Sequence, residues 1–452
     1  SISVAMGKGE WGMSFDRDLF RLPEAVAGQE YVLATYYLET PLELYEAANA
    51  LAAEQSSGTW RRVGRETDDL REAHGAKVVG IYPVPAEILE NHLPTAVEPD
   101  RADGLRRPRY RAAVLRMAFP TVNFGAKLPN LLSAVAGNLF EMGLFTAVRL
   151  LDLEFPPGFR RQFTGPRFGV AGTRRLLGVE GRPLVGSIIK PCVGLSPQEL
   201  AQLAYEGARG GLDFMKDDEL LADTEYSPLK ERVRAVTAAL RRAEEETGEK
   251  TMYAFNITDR VDRIRELHDI VVENGGTCVM INVMTAGLSA MRVLAEYTQV
   301  PIHCHRDFAA AFTRSQHLGI ASVAMTKLYR LAGADQIHVG AVAGKLFGSD
   351  EEVLLDARTC LEELPPLAPA LPVSSGGQWA GTAPVNRRKL GNLDFLHLAG
   401  AGVFAHPDGA AAGARSLRQA WDAVLAGAGL EEYARDHREL ARALEHFGEP
   451  VT

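Results

Sequence analysis

Residues 211–219, with the sequence GLDFMKDDE, place a short apolar run directly before one lysine and three carboxylates. Burying charged groups at the end of a strand is costly unless they compensate each other or bind a cation. Alternate residues of a strand share a face, so Lys216 and Asp218 point to the same side, and Glu219 can join them where the strand ends. The segment therefore predicts a strand whose carboxyl end carries a site for a hard, oxygen-preferring ion such as Mg²⁺.

Lys216 is the unusual member of this set, because an ammonium group does not bind a cation. Reaction of its amine with CO2 would give a carbamate, which is an anionic oxygen ligand and would complete a set of three such ligands with Asp218 and Glu219. The alternative is a buried ion pair between Lys216 and Asp218, followed by acids that face solvent.

Composition and charge restrict the class of protein. The chain has 452 residues, long enough for more than one domain, and its 46% hydrophobic and 24% charged residues are ordinary for a globular protein. A net charge of −9, without basic runs interleaved with aromatic residues, argues against nucleic-acid binding. The cysteines show no CxxC spacing, no stretch reaches the length of a membrane span, and residues 1–15 lack the apolar core of a signal peptide. We therefore predict a cytoplasmic protein without nucleic-acid or membrane partners.

Two regions with different patterns follow one another along the chain. Up to about residue 150, strand-like and helix-like runs alternate irregularly, as in an α+β domain with an antiparallel, ferredoxin-like sheet. The predicted strands are 31–38, 76–84 and 110–119, and the predicted helices are 42–54 and 128–140. The sequence FPPG at 155–158 marks a boundary, so we predict an N-terminal domain over 1–155 and a catalytic domain over 156–452.

From about residue 184 the pattern becomes regular, because short apolar strands alternate with amphipathic helices. The eight predicted strands are 184–190, 212–216, 252–257, 278–283, 301–305, 336–340, 372–375 and 393–398. This number and spacing predict a (β/α)8 (TIM) barrel, and capping boxes that begin at Ser196 and Ser349 support the helix starts. A doubly wound open sheet is the alternative, but its glycine fingerprint near the first strand is absent.

Polar residues stand at the predicted carboxyl ends of most barrel strands, where barrel enzymes carry their active sites. They are Lys190, Lys216, Asn256, His303, His305, Arg306, His338 and Ser375. One such residue could be a satisfied core position, but this many from one barrel predict a shared active site.

Glycine-rich segments follow the seventh and eighth strands, at 375–377 (SGG) and 400–402 (GAG). Bare N–H groups at these positions can approach an anion, so the segments predict a phosphate site, with tight turns as the alternative. After the sixth strand, Lys345 lies within a segment bounded by Gly344 and Gly348. That arrangement suits a mobile lid that delivers a cation on closing, and an ordinary exposed loop is the alternative.

Together these motifs resemble the large subunit of ribulose-bisphosphate carboxylase (Rubisco) along nearly the whole chain. The matching segments are IKP at 189–191, 210–219, HCHR at 303–306, GKL at 344–346 and 375–377. Glu54, the segment GTW at 58–60, and Asn138 resemble residues that Rubisco contributes to a neighbouring subunit's active site. The resemblance therefore implies a homodimer or an oligomer of dimers.

The resemblance also implies a role for each matching residue. The implied metal ligands are Lys216 (as a carbamate), Asp218 and Glu219, and the implied catalytic residues are Lys190, Lys216, His305 and Lys345. The implied substrate- and phosphate-binding residues are Glu54, Thr59, Trp60, Asn138, Arg306, His338, Ser375, Gly376, Gly377, Gly400 and Ala401. Of the last group, Arg306, His338 and Ser375 would line the end of the substrate opposite the first phosphate.

Departures from the family pattern point to a loss of CO2 fixation. A lysine expected two residues after Lys190 is Cys192, two expected histidines are Ala309 and Gln336, and one glycine of the phosphate segment is Ala401. Losing these residues while keeping the metal ligands resembles the Rubisco-like (form IV) proteins. Such proteins enolise or isomerise phosphorylated methylthio-sugars, or decarboxylate phosphorylated keto sugar acids.

We therefore predict an Mg²⁺-dependent enzyme that enolises or isomerises a phosphorylated ketose without fixing CO2. The alternatives are a decarboxylase of a phosphorylated 3-keto sugar acid, a Schiff-base aldolase and a non-catalytic sugar-phosphate sensor. Against the aldolase, three acids beside Lys216 should keep its amine protonated. Arg306, His338 and Ser375 together suit a second anionic group on the substrate. A neutral far end would leave Arg306 and His338 unmatched, which counts in favour of the decarboxylase.

Overall fold

The computed structural model describes residues 19–26, 30–88, 90–95 and 109–451, and the chain divides into two compact units. The first unit is formed by Ser1–Phe163 together with the inserted segment Ala309–Met325. The second is formed by Thr164–Phe308 and Thr326–Thr452. A segment from the middle of the barrel sequence thus belongs to the N-terminal unit.

The first unit is built on a five-stranded mixed sheet. Its strands are β1 (Tyr31–Thr40), β2 (Lys77–Ile88), β3 (Tyr110–Pro120), β4 (Ala147–Glu154) and β10 (Leu318–Ile320), in the order β10-β4-β1-β3-β2. The predicted antiparallel pairing is confirmed for β1 to β4, whereas β10 from the insertion pairs with β4 in parallel. The sheet is therefore mixed rather than purely antiparallel.

Alternation along β1 explains how this sheet covers its core. Val32, Ala34, Tyr36 and Leu38 are buried, and the residues between them are partly exposed, as expected for a strand with one face on a core. The helices of this unit are α1 (Pro23–Val26), α2 (Leu44–Glu54), α3 (Asp68–His74), α4 (Leu128–Ala136), α5 (Pro157–Arg160) and α12 (Ala310–Thr313), with short 3-10 helices at Thr121–Asn123 and Leu139–Glu141.

The second unit is a closed barrel of eight parallel strands, as the sequence predicts. The strands are β5 (Leu184–Ile188), β6 (Phe214–Lys216), β7 (Met252–Asn256), β8 (Cys278–Asn282), β9 (Ile302–His305), β11 (Gln336–Gly340), β12 (Leu371–Ser375) and β13 (Leu396–Ala399). Closure comes from β13, which pairs in parallel with β5. Only the strand ends differ from the prediction, by a few residues.

The helices of the second unit precede, separate and follow the barrel strands along the chain. They are α6 (Gly169–Leu177), α7 (Pro197–Arg209), α8 (Leu229–Thr247), α9 (Ile264–Glu273), α10 (Val283–Ala286), α11 (Leu288–Tyr297), α13 (Ser322–Ala332), α14 (Asp350–Leu361), α15 (Ala383–Leu390), α16 (Ala401–Phe404), α17 (Ala410–Leu425), α18 (Leu430–Tyr433) and α19 (Arg438–Phe447), with 3-10 helices at Val261–Arg263 and Ala380–Thr382. Within the described residues, none of the helices combines the length and the apolar composition needed to cross a membrane.

Two of the predicted helix starts can be checked directly. The Ser196 hydroxyl accepts the Glu199 N–H, and the Glu199 carboxylate accepts the Ser196 N–H at 2.8 Å, which completes a capping box. At α14 the Ser349 hydroxyl accepts the Glu352 N–H at 3.2 Å. Local sequence therefore sets both helix starts.

Candidate active site at the carboxyl end of the barrel

The three carboxylates after β6 have different surroundings. Asp217 accepts two hydrogen bonds from the Arg232 guanidinium at 3.1 and 3.2 Å, one from the Tyr253 hydroxyl at 2.7 Å and one from the Asn256 N–H at 2.9 Å. Asp217 and Arg232 are both fully buried. Asp217 is therefore a matched structural charge, which leaves Asp218 and Glu219 as the acids that can act on a ligand.

Asp218 pairs with Lys190, which lies two residues after the first barrel strand, β5. Lys190 Nζ lies 2.7 Å from Asp218 Oδ2 and 3.0 Å from Cys192 Sγ. Burial alone would lower the pKa of Lys190, but the hydrogen bonds to Asp218 and Cys192 raise it above its usual value. Burial would likewise raise the pKa of Asp218, but the hydrogen bonds from Lys190, the Leu220 N–H and Cys192, together with the charge of Lys190, outweigh burial and the pKa falls. Both groups are thus held in their charged forms.

Lys216 has a different environment from Lys190. Its side chain is fully buried, its Nζ donates to the Asp217 carbonyl oxygen at 2.9 Å, and Glu219 Oε2 lies 3.5 Å away. Burial lowers the pKa of Lys216 even though Glu219, Asp218 and Asp217 act in the opposite direction. Desolvation thus exceeds the attraction of the neighbouring acids, which shifts the equilibrium of this amine toward its neutral form.

Glu219 is fixed through its main chain by two side-chain amides. Its carbonyl oxygen accepts hydrogen bonds from Asn256 Nδ2 at 3.2 Å and from Asn282 Nδ2 at 3.0 Å. The carboxylate oxygen Oε2 lies 3.5 Å from His305 Nε2, so Glu219 stands between Lys216 and His305. Asn282 is a supporting residue that the sequence analysis missed, although a polar residue at the end of β8 was a usable signal.

Three histidines, of which His303 and His338 are buried and His305 is partly exposed, extend from this point across β9 and β11. His303 Nδ1 lies 2.8 Å from Gln336 Oε1, and His303 Nε2 lies 2.7 Å from His338 Nε2. The ring centroids of His305 and His338 are 4.5 Å apart. Burial lowers the pKa of all three imidazoles, so they are neutral. Gln336, where a histidine was expected, therefore serves as the polar partner of His303.

The tautomers of these rings follow from their partners. Because Gln336 donates its amide to Thr173 Oγ1, its oxygen faces His303, whose Nδ1 must carry the proton. His303 Nε2 then accepts a hydrogen bond from the N–H at His338 Nε2. The His305 ring accepts the Asp307 N–H at Nδ1, so its own proton lies on Nε2, the atom that faces Glu219. The neutral His305 ring carries one proton, so it can donate one hydrogen bond, from Nε2, while its Nδ1 acts as an acceptor.

The two glycine-rich segments lie beside other predicted site residues. Gly376 and Gly377 have φ angles of +117° and +70°, and the Lys345 N–H donates to the Gly376 carbonyl oxygen at 3.4 Å. A Cβ at Gly377 would lie 3.1 Å from Lys345 N, while a Cβ at Gly400 would lie 3.5 Å from Lys190 Cε. The predicted lid segment thus packs on the first glycine segment, and Gly400 lies next to Lys190.

Three other predicted residues occupy distinct positions near these segments. Ser375 is buried at the end of β12, Ala401 is the exposed first residue of α16, and the Lys345 side chain is exposed. An exposed Lys345 is compatible with the predicted lid and with the simple loop alternative.

Arg306 does not have the environment that the sequence analysis assumed. Its Nη1 lies 3.0 Å from Oδ2 of Asp356, a residue of α14 that is 2% exposed. The premise of an unmatched Arg306 is therefore wrong, because a carboxylate of the chain itself already pairs with it. Arg306 and Asp356 are 50 positions apart in the chain, and no local sequence pattern around Asp356 predicts their contact.

The predicted residues of the first unit form a separate group. Asn138 Nδ2 donates to Glu54 Oε1 at 3.2 Å, and both Thr59 and Trp60 are exposed. The Arg61 guanidinium lies 4.7 Å from the Trp60 ring centroid. Their predicted role in a neighbouring subunit's site stays a prediction.

Comparison with known families identifies the two units. Residues 169–447 match the family described as ribulose bisphosphate carboxylase large chain, catalytic domain, and residues 23–159 match the N-terminal domain of the same large chain. Together the matches cover most of the chain.

Individual proteins are similar over nearly their full length. A ribulose bisphosphate carboxylase-like protein from Allochromatium vinosum is 44% identical, with 94% of this chain and 91% of that protein covered. The 3-oxo-isoapionate-4-phosphate transcarboxylase/hydrolase from Xanthobacter autotrophicus is 42% identical, with 92% and 99% covered. The crystal structure of a rubisco-like protein from Burkholderia fungorum superposes with a TM-score of 0.83 at 40% identity, covering 93% of this chain and 100% of that one.

Proposed function

The chain belongs to the ribulose bisphosphate carboxylase large chain family, and from that premise we propose that it is a cytoplasmic, Mg²⁺-dependent enzyme that enolises or isomerises a phosphorylated ketose without fixing CO2. The observation that carries the proposal is two adjacent groups of contacts after β6, one between Lys190 and Asp218 and one from Lys216 through Glu219 to His305. This set combines an ammonium group, two carboxylates and a buried amine at the end of a barrel where chemistry is usual.

The residues after β6 fit a hard divalent cation. Two carboxylates stand beside a buried lysine whose lowered pKa favours the neutral amine, and only a neutral amine reacts with CO2 to give a carbamate. Lys216 as that carbamate, Asp218 and Glu219 would hold the ion. Bound there, Mg²⁺ would withdraw electrons from a substrate carbonyl and so acidify the neighbouring C–H bond.

The side chains around the site would transfer protons and bind the substrate. Lys190 keeps its proton because Asp218 accepts a hydrogen bond from it, so Lys190 is suited to return a proton to the substrate as a general acid. The modified Lys216 is suited to take the proton. His305, with its proton on Nε2, can bind a substrate hydroxyl without changing its charge.

The glycine segments supply the phosphate site in this proposal. Gly377 and Gly400 would offer their main-chain N–H groups to an anion, and Ala401 would offer its own although it replaces a glycine. Thr59 and Trp60 of a neighbouring subunit would complete the site, which is why we propose a homodimer or an oligomer of dimers. Their exposure in the chain supports this part of the proposal.

The Arg306–Asp356 pair supports a substrate with only one anionic end. A guanidinium whose charge is already balanced attracts a second phosphate or carboxylate less strongly than a free one. A ketose monophosphate with a neutral far end therefore fits better than a bisphosphate. This favours enolisation or isomerisation over chemistry on a sugar acid.

A second candidate function is removal of a carboxyl group from a phosphorylated 3-oxo sugar acid. It is favoured by the names of two relatives. The Xanthobacter protein is named a transcarboxylase/hydrolase of 3-oxo-isoapionate-4-phosphate, and a protein from Rhizobium etli is named a decarboxylase of the same compound. Loss of CO2 from such an acid leaves an enolate that must be protonated, and Lys190 could protonate it. The same side chains would serve both reactions.

The experiment that separates these functions uses phosphorylated ketoses and phosphorylated 3-oxo acids in D2O with Mg²⁺ and bicarbonate. We expect NMR to show deuterium exchange next to the carbonyl of a neutral-ended ketose phosphate, and no labelled CO2 fixed into ribulose bisphosphate. Faster loss of CO2 from the 3-oxo acid would favour the second candidate. Binding without turnover would indicate a sensor, and a borohydride-trapped adduct on Lys216 would indicate an aldolase.

A further inference from the structure

A second group of metal-ligating side chains lies within the first unit. Glu39 stands near the end of β1, His92 follows β2, and His317 directly precedes β10. One ligand atom from each residue lies within 4.8 Å of the other two. In the described part of the chain, this is the one cluster of three or more His, Cys, Asp and Glu side chains with such spacing.

The arrangement of the two rings is the most informative feature of this cluster. His92 Nδ1 lies 2.9 Å from Glu39 Oε2, and the His92 and His317 rings stack with centroids 3.6 Å apart and planes 9° from parallel. The ring nitrogens of His317 make neither a hydrogen bond nor an ion pair with any residue that the structure describes. They remain available to an added ligand.

A hydrogen-bonded pair alone does not account for this arrangement. Glu39 is 2% exposed, and His92 together with the Tyr37 hydroxyl, which donates to Oε1, already satisfies its carboxylate. A second imidazole stacked at this distance adds nothing to that satisfaction. Because one ion cannot lie in the planes of two parallel rings, one of the two rings would turn about its side-chain bonds to bind it. Two neutral imidazoles and one carboxylate are, however, the donors that bind Zn²⁺ in proteins.

The main chain holds the first and third residues in place. The Thr146 N–H donates to the Glu39 carbonyl oxygen and the Val148 N–H donates to the His317 carbonyl oxygen, both at 2.8 Å. Arg149 also donates to Gln316 Oε1 at 2.6 Å. Three neighbouring residues of the sheet thus hold the main chain at or next to two of the ligand residues, and Tyr37 orients the carboxylate as outer partners of metal ligands do.

We propose that Glu39, His92 and His317 form a binding site for a divalent transition metal of the Zn²⁺ type. The ion would join the inserted strand β10 to β1 and to the segment after β2. Imidazole nitrogens favour Zn²⁺, Co²⁺ or Ni²⁺ over Mg²⁺, which distinguishes this site from the all-oxygen set at the barrel end. The His92 side chain is 30% exposed, so the fourth ligand position is open to water.

The test uses the full chain and measures Zn²⁺ binding by competition with a chromophoric chelator. We expect one tight equivalent of Zn²⁺ that survives Glu219→Gln, because that substitution alters only the barrel site. His317→Ala, His92→Ala and Glu39→Gln should each weaken this equivalent by about a hundredfold or more, since loss even of an outer partner typically costs about 10–100-fold. His74→Ala removes another exposed histidine of the same unit and should change nothing.

Co²⁺ provides a readout that does not depend on the variants folding. Tetrahedral or five-coordinate Co²⁺ with nitrogen ligands absorbs visible light far more strongly than six-coordinate Co²⁺ with oxygen ligands. The wild-type protein should show the strong bands, and Zn²⁺ should raise its unfolding temperature. A wild-type protein with only weak bands, Zn²⁺ binding abolished by Glu219→Gln, or variants that bind like wild type would each overturn the proposal.

Discussion

The two ends of the barrel differ in how closely their buried charged groups are paired. At the amino end, Asp213 accepts two hydrogen bonds from Arg182, at 2.6 and 2.7 Å, and a third from the Val185 N–H at 2.8 Å. At the carboxyl end, the buried Lys216 amine donates to a main-chain carbonyl and its nearest carboxylate oxygen, on Glu219, is 3.5 Å away. The carboxyl end also contains matched charges, Asp217 with Arg232 and Asp218 with Lys190, so the partly matched group there is Lys216.

Asp335 is a second buried carboxylate at the amino end, and main-chain N–H groups stabilise its charge. Its carboxylate accepts main-chain N–H groups of Phe168, Gly169 and Ile302 at 2.7 to 2.8 Å. Burial still raises the pKa of Asp335 to about 6, which means that these donors keep it ionised only near neutral pH and above. The comparison teaches that Asp213 and Asp335 at the amino end are held by close donors, whereas at the carboxyl end the partly matched Lys216 stands beside the matched Asp217 and Asp218. Lys216 is thus the group there that a ligand can still complete.

The largest effect is expected from Lys216→Met. We predict a loss of turnover on the order of 10²–10⁴-fold, the usual contribution of a proton-transfer group, because the variant cannot form the anionic ligand. The free energy of unfolding should not fall, since a buried amine is replaced by an apolar side chain of similar length. Steady-state kinetics and denaturant unfolding check both points. A crystal grown with Mg²⁺ and bicarbonate that showed a free Lys216 amine in the wild type would contradict the explanation.

Arg182→Met tests the other side of the comparison. Removing the guanidinium leaves Asp213 buried without its charge partner, so we expect the free energy of unfolding to fall by roughly 3–5 kcal/mol. Turnover per folded molecule should stay the same, because the pair lies at the amino end. Arg175→Met, which changes an exposed arginine, is the matched control. Reduced turnover at unchanged stability would show that the amino end is not purely structural.

Lys190→Gln should reduce kcat by about 10²-fold or more while leaving stability nearly unchanged, because Lys190 is proposed to donate a proton. The raised pKa of Lys190 gives a second check. Since the donor stays protonated until well above neutral pH, the wild-type rate should not fall through deprotonation of this group between neutral and moderately alkaline pH. A rate that declined there, and that Lys190→Gln made independent of pH, would show that its proton is lost earlier.

The smallest effect is expected from Asp356→Asn, which removes the carboxylate that pairs with Arg306. A freed guanidinium should improve binding of a substrate with an anionic far end by about tenfold, the equivalent of one charged hydrogen bond. Binding of a neutral-ended substrate should not change. Glu351→Gln on the exposed side of the same helix is the control. If wild-type protein already prefers the doubly anionic substrate, the far-end argument is wrong.

Local sequence determined the barrel and the candidates at its carboxyl end. Strand β6 was predictable because a short apolar run ends abruptly in Lys216 and three acids, and residue type and spacing are local properties. The same holds for β11, whose predicted and observed bounds agree, and for the capping box at Ser196. The sequence therefore pointed to Lys190, Lys216, Asp218 and Glu219 without any knowledge of their contacts.

Only the tertiary structure decided which charges are matched. The Arg306–Asp356 pair, the His303–Gln336 contact and the cluster of Glu39, His92 and His317 join residues far apart in the chain. The three-residue strand β10 became visible only through its pairing with β4. Residue type fixes what a side chain can do, but burial and partners fix its charge, and burial and partners are properties of the folded chain.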